Sequence, residues 1–126
     1  VFVSVDENYL KRAYTTLFSL KEKTNEDVHA YLLNCSLSDE KQNEYNSQIK
    51  KYGMTPHIIQ ISQSLFKELP TGFHYTMEMY SRMIAPFLLP NTLDRALWLD
   101  ADIIVLKDIS DFYYRDFKDK KMIACS

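Results

Sequence analysis

The chain of 126 residues is long enough for one globular domain with a modest core, since 46% of its residues are hydrophobic and 25% are charged. Its formal net charge is only -2, and its 15 basic residues are scattered rather than gathered into a stripe, which excludes a basic surface for nucleic acid. All apolar runs fall far short of the roughly 20 residues that a transmembrane helix needs, so we expect a soluble domain.

The first half of the chain predicts alternating strands and helices. The β-branched run VFVSV, residues 1–5, predicts a first strand, and apolar side chains at helical spacing predict a helix over residues 9–23. Residues 28–34 predict a second strand. After it, Ser38 is a candidate N-cap for a polar helix that a glycine ends. The run HIIQI, residues 57–61, predicts the third strand.

A long loop and a further helix are predicted next. A proline and a glycine predict a loop over residues 62–75, with one helical turn around residues 65–68. A loop of this length suggests a function. From Thr76 onward, apolar side chains at helical spacing predict a helix, which Pro86 should kink or end before Pro90.

The last part of the chain completes an α/β pattern. The apolar run LWLDADIIVL, residues 97–106, predicts a fourth strand, Ser110 is a candidate cap of a short helix, and KKMIACS, residues 120–126, predicts a final strand. Alternating strands and helices are typical of a layered domain with a mostly parallel sheet. Ligands of such domains bind at the carboxyl ends of the strands.

Two carboxylates, Asp100 and Asp102, interrupt the fourth apolar run. In an extended segment, residues two apart point to the same face, so both acids could reach one point while Ala101 faces away. Paired carboxylates repel unless a cation lies between them, and hard oxygen ligands suit Mg²⁺ or Mn²⁺. The pair therefore predicts a site for a metal-bound diphosphate. The alternative is a solvated turn, which is the ordinary role of a short Asp-x-Asp.

Glycine-rich phosphate loops are excluded by composition. The chain has only two glycines, so it contains neither a GxGxxG dinucleotide turn nor a Walker loop. Any bound phosphate must therefore be held by other groups.

Three stretches of the chain resemble family 8 glycosyltransferases, a family of GT-A fold that includes bacterial lipopolysaccharide glucosyl- and galactosyltransferases and glycogenin. LWLDADIIVL resembles the family's Asp-x-Asp signature, VFVSVDENYL its opening strand and nucleotide-binding turn, and YSRMIAPFLLP its Tyr-x-Arg helix. Together they cover nearly the full chain in the family's order. The resemblance implies a Rossmann-like GT-A nucleotide-diphospho-sugar transferase fold, with residues 1–126 as one donor-binding domain of a longer transferase.

The resemblance also implies which residues bind the uridine of the donor. It would place Ser4, Asp6, Asn8 and Tyr9 around the base and ribose. Asp6 and Asn8 carry hydrogen-bonding groups for a uracil edge, and Tyr9 could stack on the base. The alternative for Asp6 or Asn8 is a cap of the helix that begins near Tyr9, and both roles can coexist.

A second set of residues is implied for the sugar and diphosphate. Arg82 matches the family's Tyr-x-Arg arginine, which contacts the donor sugar or diphosphate. Its alternative is an exposed helix arginine paired with Glu78. Asp100 and Asp102 would bind the metal, and Asp100 and Ala101 would lie against the nucleotide.

The activity implied by the resemblance is hexosyl transfer with retention of configuration. The donor would be a UDP-sugar, UDP-glucose or UDP-galactose, and the acceptor a hydroxyl of a saccharide or glycolipid. Mn²⁺ or Mg²⁺ would neutralise the departing diphosphate. The family takes a third metal ligand, a histidine, from a region that would follow Ser126. No catalytic base is predicted.

The remaining histidines and cysteines are predicted to be structural. His29, His57 and His74 have no metal-ligand spacing. Cys35 and Cys125 are predicted to be buried thiols, because one long-range pair does not make a disulfide framework. Free thiols fit the predicted location of the protein, which is the cytoplasm or the cytoplasmic periphery of a membrane.

Two other functions stay open at this point. A haloacid-dehalogenase-like phosphohydrolase would use Asp100 as its nucleophile, although Ile104 stands where that family has a small hydroxylated residue. A non-catalytic binding module would leave the two acids as a solvated strand end. That module predicts no affinity for UDP with Mn²⁺.

Overall fold

The computed structural model describes residues 1–66 and 77–122, and for residues 77–79 the backbone alone. Over residues 1–60, strands and helices alternate as the sequence predicts. The elements in order are β1 (Phe2–Ser4), α1 (Leu10–Lys21), β2 (His29–Asn34), α2 (Asp39–Lys51), β3 (Thr55–Gln60), a one-turn 3₁₀ helix (Gln63–Phe66), α3 (Met77–Leu88) and α4 (Ser110–Tyr113).

The three strands form a parallel sheet in the order β1-β2-β3. The register pairs Phe2 with Tyr31 and Tyr31 with His57. Parallel neighbours need crossover connections, which α1 and α2 provide. The predicted α/β class with a parallel sheet is therefore confirmed.

The sheet separates two apolar clusters, because successive strand residues point to opposite faces. Leu17 of α1 and Ile49 of α2 belong to the cluster on one face, together with Val3 and Leu32 of the sheet. The second cluster lies against α3. It contains Phe2, Tyr31, Leu33, Cys35, Ile61, Phe66, Ala85 and Leu89. Helices thus cover both faces, and the carboxyl edge of the sheet is left for a ligand.

Helix ends agree closely with the sequence signals. The Ser38 hydroxyl accepts a hydrogen bond from the Lys41 N–H at 3.4 Å, which confirms it as the N-cap of α2. Gly53 has a φ of 72°, a left-handed conformation that ends the helix at low cost. Pro86 lies within α3, which ends before Pro90 as predicted.

The predicted fourth strand over residues 97–106 is wrong in extent. Trp98 alone forms a bridge, parallel to Phe2. The Phe2 N–H donates to the Leu97 carbonyl at 2.8 Å, and the Leu99 N–H donates to the Phe2 carbonyl at 3.2 Å. The pairing then stops, and the chain turns at residues 101–102.

The ladder stops because the backbone beyond the turn has partners on α1 instead of β1. The Ile103 carbonyl accepts a hydrogen bond from Thr16 Oγ1, and the Val105 N–H donates to Ser19 Oγ. β1 itself ends at Ser4. A strand needs a neighbouring strand for its N–H and C=O groups, and here side-chain hydroxyls take that place.

Two predictions for the last part of the chain are also wrong. Ser110 is the first residue of α4, and Ile109 is its N-cap. The N–H and the hydroxyl of Ser110 both donate to Asp108 Oδ1, at 2.9 and 2.6 Å. Residues 120–122 of the predicted final strand form no strand, and residues 123–126 lie outside the described part. Within the described part, no helix combines the length and apolar character needed to cross a membrane.

The predicted loop after β3 is only partly described. Its helical turn is found at Gln63–Phe66, slightly earlier than expected. Residues 67–76, with His74 among them, lie outside the described residues, as does Cys125. Cys35 is buried in the cluster beneath α3, as predicted.

Candidate functional site

The carboxyl end of β1 and residues 97–100 run side by side. The bridge between Phe2 and Trp98 is parallel, so both segments leave the sheet at the same edge. Asp6 follows β1 at this edge, and Asp100 follows the paired segment. Two stretches that are more than 90 residues apart in sequence are thereby brought together.

Helix α3 contacts both segments at this edge. The hydroxyls of Ser81 and Ser4 are hydrogen-bonded to each other, and Ser81 is fully buried. The Arg82 guanidinium lies over the Trp98 ring, 4.8 Å from its centroid, which is a cation–π contact. The structure therefore brings Ser4 and Arg82, two residues predicted to bind the donor, to the edge where Asp100 lies.

The two aspartates lie in a turn, whereas the sequence predicted an extended strand end. Both carboxylates are exposed, while Ala101 between them is buried in the cluster beneath α1. Asp100 Oδ1 accepts a hydrogen bond from the Ala101 N–H at 3.0 Å. The acids thus point away from the core and Ala101 points into it. This exposure suits a metal site open to a ligand as well as a solvated turn, so the metal role stays a prediction.

The turn after β1 is held by a side-chain hydrogen bond and carries exposed polar groups. Asp6 Oδ1 accepts a hydrogen bond from the Tyr9 N–H at 3.0 Å. Tyr9 is itself the N-cap of α1 and the helix has no side-chain cap, so Asp6 stabilises the turn before the helix and does not cap α1. Asn8 is exposed, and Tyr9 is 43% exposed. The Arg12 guanidinium lies 4.5 Å from the Tyr9 ring centroid. One ring face is therefore occupied, and only the other could stack on a base.

A complete metal site is not found among residues 1–66 and 77–122, where no three His, Cys, Asp or Glu side chains form a group able to hold an ion. Asp100 and Asp102 supply carboxylate oxygens, the donor type that Mg²⁺ and Mn²⁺ prefer. These two residues fit part of such a site, and the remaining ligands would come from water, substrate or residues beyond the described part.

Two histidines, one in β2 and one in β3, contact each other away from the carboxyl edge of the sheet. His29 Nδ1 and His57 Nε2 are 2.9 Å apart, although 28 residues separate them in sequence. Burial, with a smaller contribution from His29, lowers the pKa of His57. His57 also stacks on Tyr31. This pair could not be predicted from the spacing of the two histidines, because the pairing of β2 with β3 brings the rings together.

Thr16 and Ser19 of α1 are site residues that the sequence analysis missed. Thr16 Oγ1 donates to the Ile103 carbonyl at 2.8 Å and lies 3.5 Å from the Asp100 carbonyl. Ser19 Oγ accepts from the Val105 N–H at 2.9 Å. The available signal was a pair of hydroxyl residues three apart on the apolar side of a helix, where a polar side chain needs a partner.

Comparison with known proteins gives one family and several relatives. A family model described as Glycosyl transferase family 8 matches residues 1–126. The chain is 29% identical over 118 residues to Glycosyltransferase GlyF of Streptococcus pneumoniae, covering 94% of this chain and 29% of that protein. It is 26% identical over 117 residues to Lipopolysaccharide 1,2-glucosyltransferase of Escherichia coli, covering 92% of this chain and 34% of that protein. The chain thus spans about a third of the length of these curated relatives.

Solved structures agree with this match. The galactosyltransferase LgtC, in a complex with donor and acceptor sugar analogs, has a TM-score of 0.80 and 17% identity, covering 92% of this chain and 42% of that chain. GlyE of Streptococcus pneumoniae has a TM-score of 0.63 and 24% identity, covering 91% of this chain and 26% of that chain. At these identities the similarity shows the fold, and it confirms the predicted GT-A fold.

Proposed function

Because the chain belongs to Glycosyl transferase family 8, we propose that the whole protein transfers a hexosyl group from a UDP-sugar to an acceptor hydroxyl. The observation that carries this proposal is the parallel pairing of Phe2 with Trp98. It directs Asp6 and the Asp100–Asp102 turn to one edge of the sheet, where a nucleoside and its diphosphate could be bound together.

The proposed donors are UDP-glucose and UDP-galactose, and the proposed acceptor is a saccharide or glycolipid. The names of two similar proteins, a lipopolysaccharide glucosyltransferase and the galactosyltransferase LgtC, support this pair of sugars. Retention of configuration is proposed from the family resemblance. The buried Cys35 thiol fits the proposed cytoplasmic location.

The uridine would lie against the turn after β1. Asp6 uses one carboxylate oxygen for the Tyr9 N–H, and its second oxygen is available to a ribose or uracil donor. Asn8 offers an amide that can donate and accept. Tyr9 would stack through the ring face that Arg12 does not cover. The Ser4 hydroxyl, already bonded to Ser81, can still form one more hydrogen bond.

The diphosphate would lie between α3 and the turn. Asp100 and Asp102 would hold Mn²⁺ or Mg²⁺. Ala101, whose side chain is buried in the cluster beneath α1, would face the nucleotide only through its backbone. The metal, when bound, would supply positive charge for the departing diphosphate. The Arg82 guanidinium lies over the Trp98 ring, and its planar set of N–H groups suits phosphate oxygens.

The family assignment favours glycosyl transfer over the dehalogenase-like phosphohydrolase. The model of a glycosyl transferase family matches residues 1–126, which include the Asp100 that a phosphohydrolase would use as nucleophile. A binding module without activity is separated from a transferase by experiment, since it would release no UDP.

The test is UDP release by the full-length protein given UDP-glucose or UDP-galactose with a panel of saccharide acceptors. We expect release in the presence of Mn²⁺ and its loss on chelation with EDTA. Asp100→Asn should lower the rate by about 10- to 100-fold, because an amide oxygen lacks the charge that holds the ion.

A matched control is Asp27→Asn. Asp27 is exposed and precedes β2, at the opposite edge of the sheet. This variant should release UDP at the unsubstituted rate. Release that resists EDTA, or an Asp100→Asn variant as fast as the Asp27→Asn variant, would contradict the proposal.

A further inference from the structure

Two hydroxyl groups of α1 hold the backbone that follows Asp100. Thr16 Oγ1 donates to the Ile103 carbonyl at 2.8 Å, with the Asp100 carbonyl also at 3.5 Å. Ser19 Oγ accepts from the Val105 N–H at 2.9 Å and donates to the Thr16 carbonyl at 2.8 Å. These bonds connect helix α1 to both ends of the segment over residues 100–105.

The burial of Thr16 indicates that its hydroxyl serves this segment. Thr16 is fully buried, beside Ala13, Leu17 and Leu20 on the apolar side of α1. A valine would have nearly the same shape and would not need a hydrogen-bond partner there. Both carbonyls near the Thr16 hydroxyl belong to residues 100–105, so the polar group in this apolar layer is used to hold that segment.

These hydrogen bonds restrain the backbone that carries Asp100 and Asp102. The carbonyl groups of Asp100 and Ile103 lie on either side of Asp102, and both face one oxygen of Thr16. Ala101 is buried in the same layer and gives a third point of attachment. With the backbone held at these points, the peptide planes around Asp102 cannot rotate freely. These contacts therefore restrain the backbone positions from which the two carboxylates extend.

We propose that Thr16 and Ser19 are positioning residues that set the spacing of the Asp100 and Asp102 carboxylates for a divalent cation and a nucleoside diphosphate. This role rests on the proposed function. Residues that do not touch the metal but orient its ligands typically weaken metal binding by about 10- to 100-fold when they are replaced.

The test measures the Mn²⁺ affinity of the full-length protein with UDP present, by calorimetry. Thr16→Val should weaken Mn²⁺ binding about tenfold, whereas Thr16→Ser, which keeps the hydroxyl, should stay within about twofold of the unsubstituted protein. Thr15→Val is the matched control. Thr15 is the neighbouring threonine on the exposed side of α1, and its hydroxyl bonds to the Lys11 carbonyl of its own helix. This control should bind Mn²⁺ as well as the unsubstituted protein.

Two further measurements separate positioning from stability. Thermal unfolding of each variant reports any general loss of stability. Amide hydrogen exchange at Val105 in Ser19→Ala reports the turn itself, and its protection should be lost because the N–H has no acceptor left. If Thr16→Val unfolded at a lower temperature yet bound Mn²⁺ like the control, the role would be structural only and the proposal would be overturned.

The failure of this role can be told from the failure of the proposed function. If the unsubstituted protein bound no Mn²⁺ with UDP, the proposed function would fall and this role with it. If the unsubstituted protein bound Mn²⁺ and Thr16→Val bound it equally well, the positioning role alone would fall.

Discussion

Replacing Arg82 by alanine should weaken UDP binding, because its guanidinium is expected to contact the diphosphate. The guanidinium carbon lies 4.8 Å from the centroid of the Trp98 ring. Trp98 is bridged to Phe2 and precedes Asp100 by two residues. The ring therefore holds the positive charge beside the turn that carries the two acids.

Two contributions set the size of the effect. A hydrogen bond to a charged group contributes about 1.5–3 kcal/mol, so losing the contact between Arg82 and phosphate should raise the Kd of UDP about 10- to 150-fold. The cation–π contact at a half-exposed site contributes about 0.5–1 kcal/mol. Trp98→Leu, which removes only the ring beneath the guanidinium, should therefore raise the Kd about two- to fivefold.

The assay is calorimetric titration of UDP into the full-length protein with Mn²⁺ present. Arg82→Lys should fall between the unsubstituted protein and Arg82→Ala, because lysine keeps the charge but loses the planar set of donors. Arg115→Ala is the control, since Arg115 is exposed beyond α4. An Arg82→Ala variant that bound UDP as tightly as the control would refute the reasoning.

Three further predictions concern stability. Tyr45→Phe removes a buried hydroxyl that donates to the Ala30 carbonyl at 3.0 Å and should lower the free energy of unfolding in urea by about 1 kcal/mol. Tyr14→Phe removes a buried hydroxyl without a hydrogen-bond partner among the described residues, so an equal loss there would contradict this reasoning. Burial raises the pKa of Tyr45 above its ordinary 10.0, so the unfolded state loses this proton first and stability should fall above pH 10.0, by up to about 1.4 kcal/mol per pH unit. Tyr45→Phe should reduce that slope, and an unchanged slope would exclude Tyr45 as its source. Burial and His29 lower the pKa of His57 below 6.5, so the unfolded state binds this proton first and stability should fall below pH 6.5. His57→Gln should reduce the loss of thermal stability below pH 6.5, and an equally large loss in that variant would contradict the assignment.

Most of the regular elements could be predicted from the sequence because their signals are local. Helix α2 has its cap at Ser38, its buried Tyr45 and Ile49 four residues apart, and a glycine at its end. Strand β2 is a short run of apolar residues that the parallel sheet buries on both faces. In each case the pattern that predicts the element lies within the element itself.

The fourth strand could not be predicted correctly because its partners are distant. The apolar run over residues 97–106 has the composition of a strand, but its backbone bonds to Phe2 and then to hydroxyls of α1, more than 80 residues away. Apolar periodicity reports burial, and Leu99, Ala101 and Val105 are indeed buried. Periodicity does not report which groups satisfy the backbone.

The residues of the candidate site also differ in whether they could be predicted from the sequence. Asp6, Arg82 and the pair of aspartates could be selected from the sequence because each belongs to a recognisable motif. Thr16 could not be selected, since its role depends on the carbonyls that the fold brings to it.

The central claim is that the edge formed by β1 and the Asp100–Asp102 turn binds UDP through a divalent cation. It is tested most directly by titrating UDP into the full-length protein with and without Mn²⁺, and repeating both titrations on Asp102→Asn and Asp27→Asn. The account predicts binding that requires Mn²⁺, that is lost in Asp102→Asn and that is kept in Asp27→Asn. UDP binding that is equally tight without Mn²⁺, or unchanged in Asp102→Asn, would contradict it.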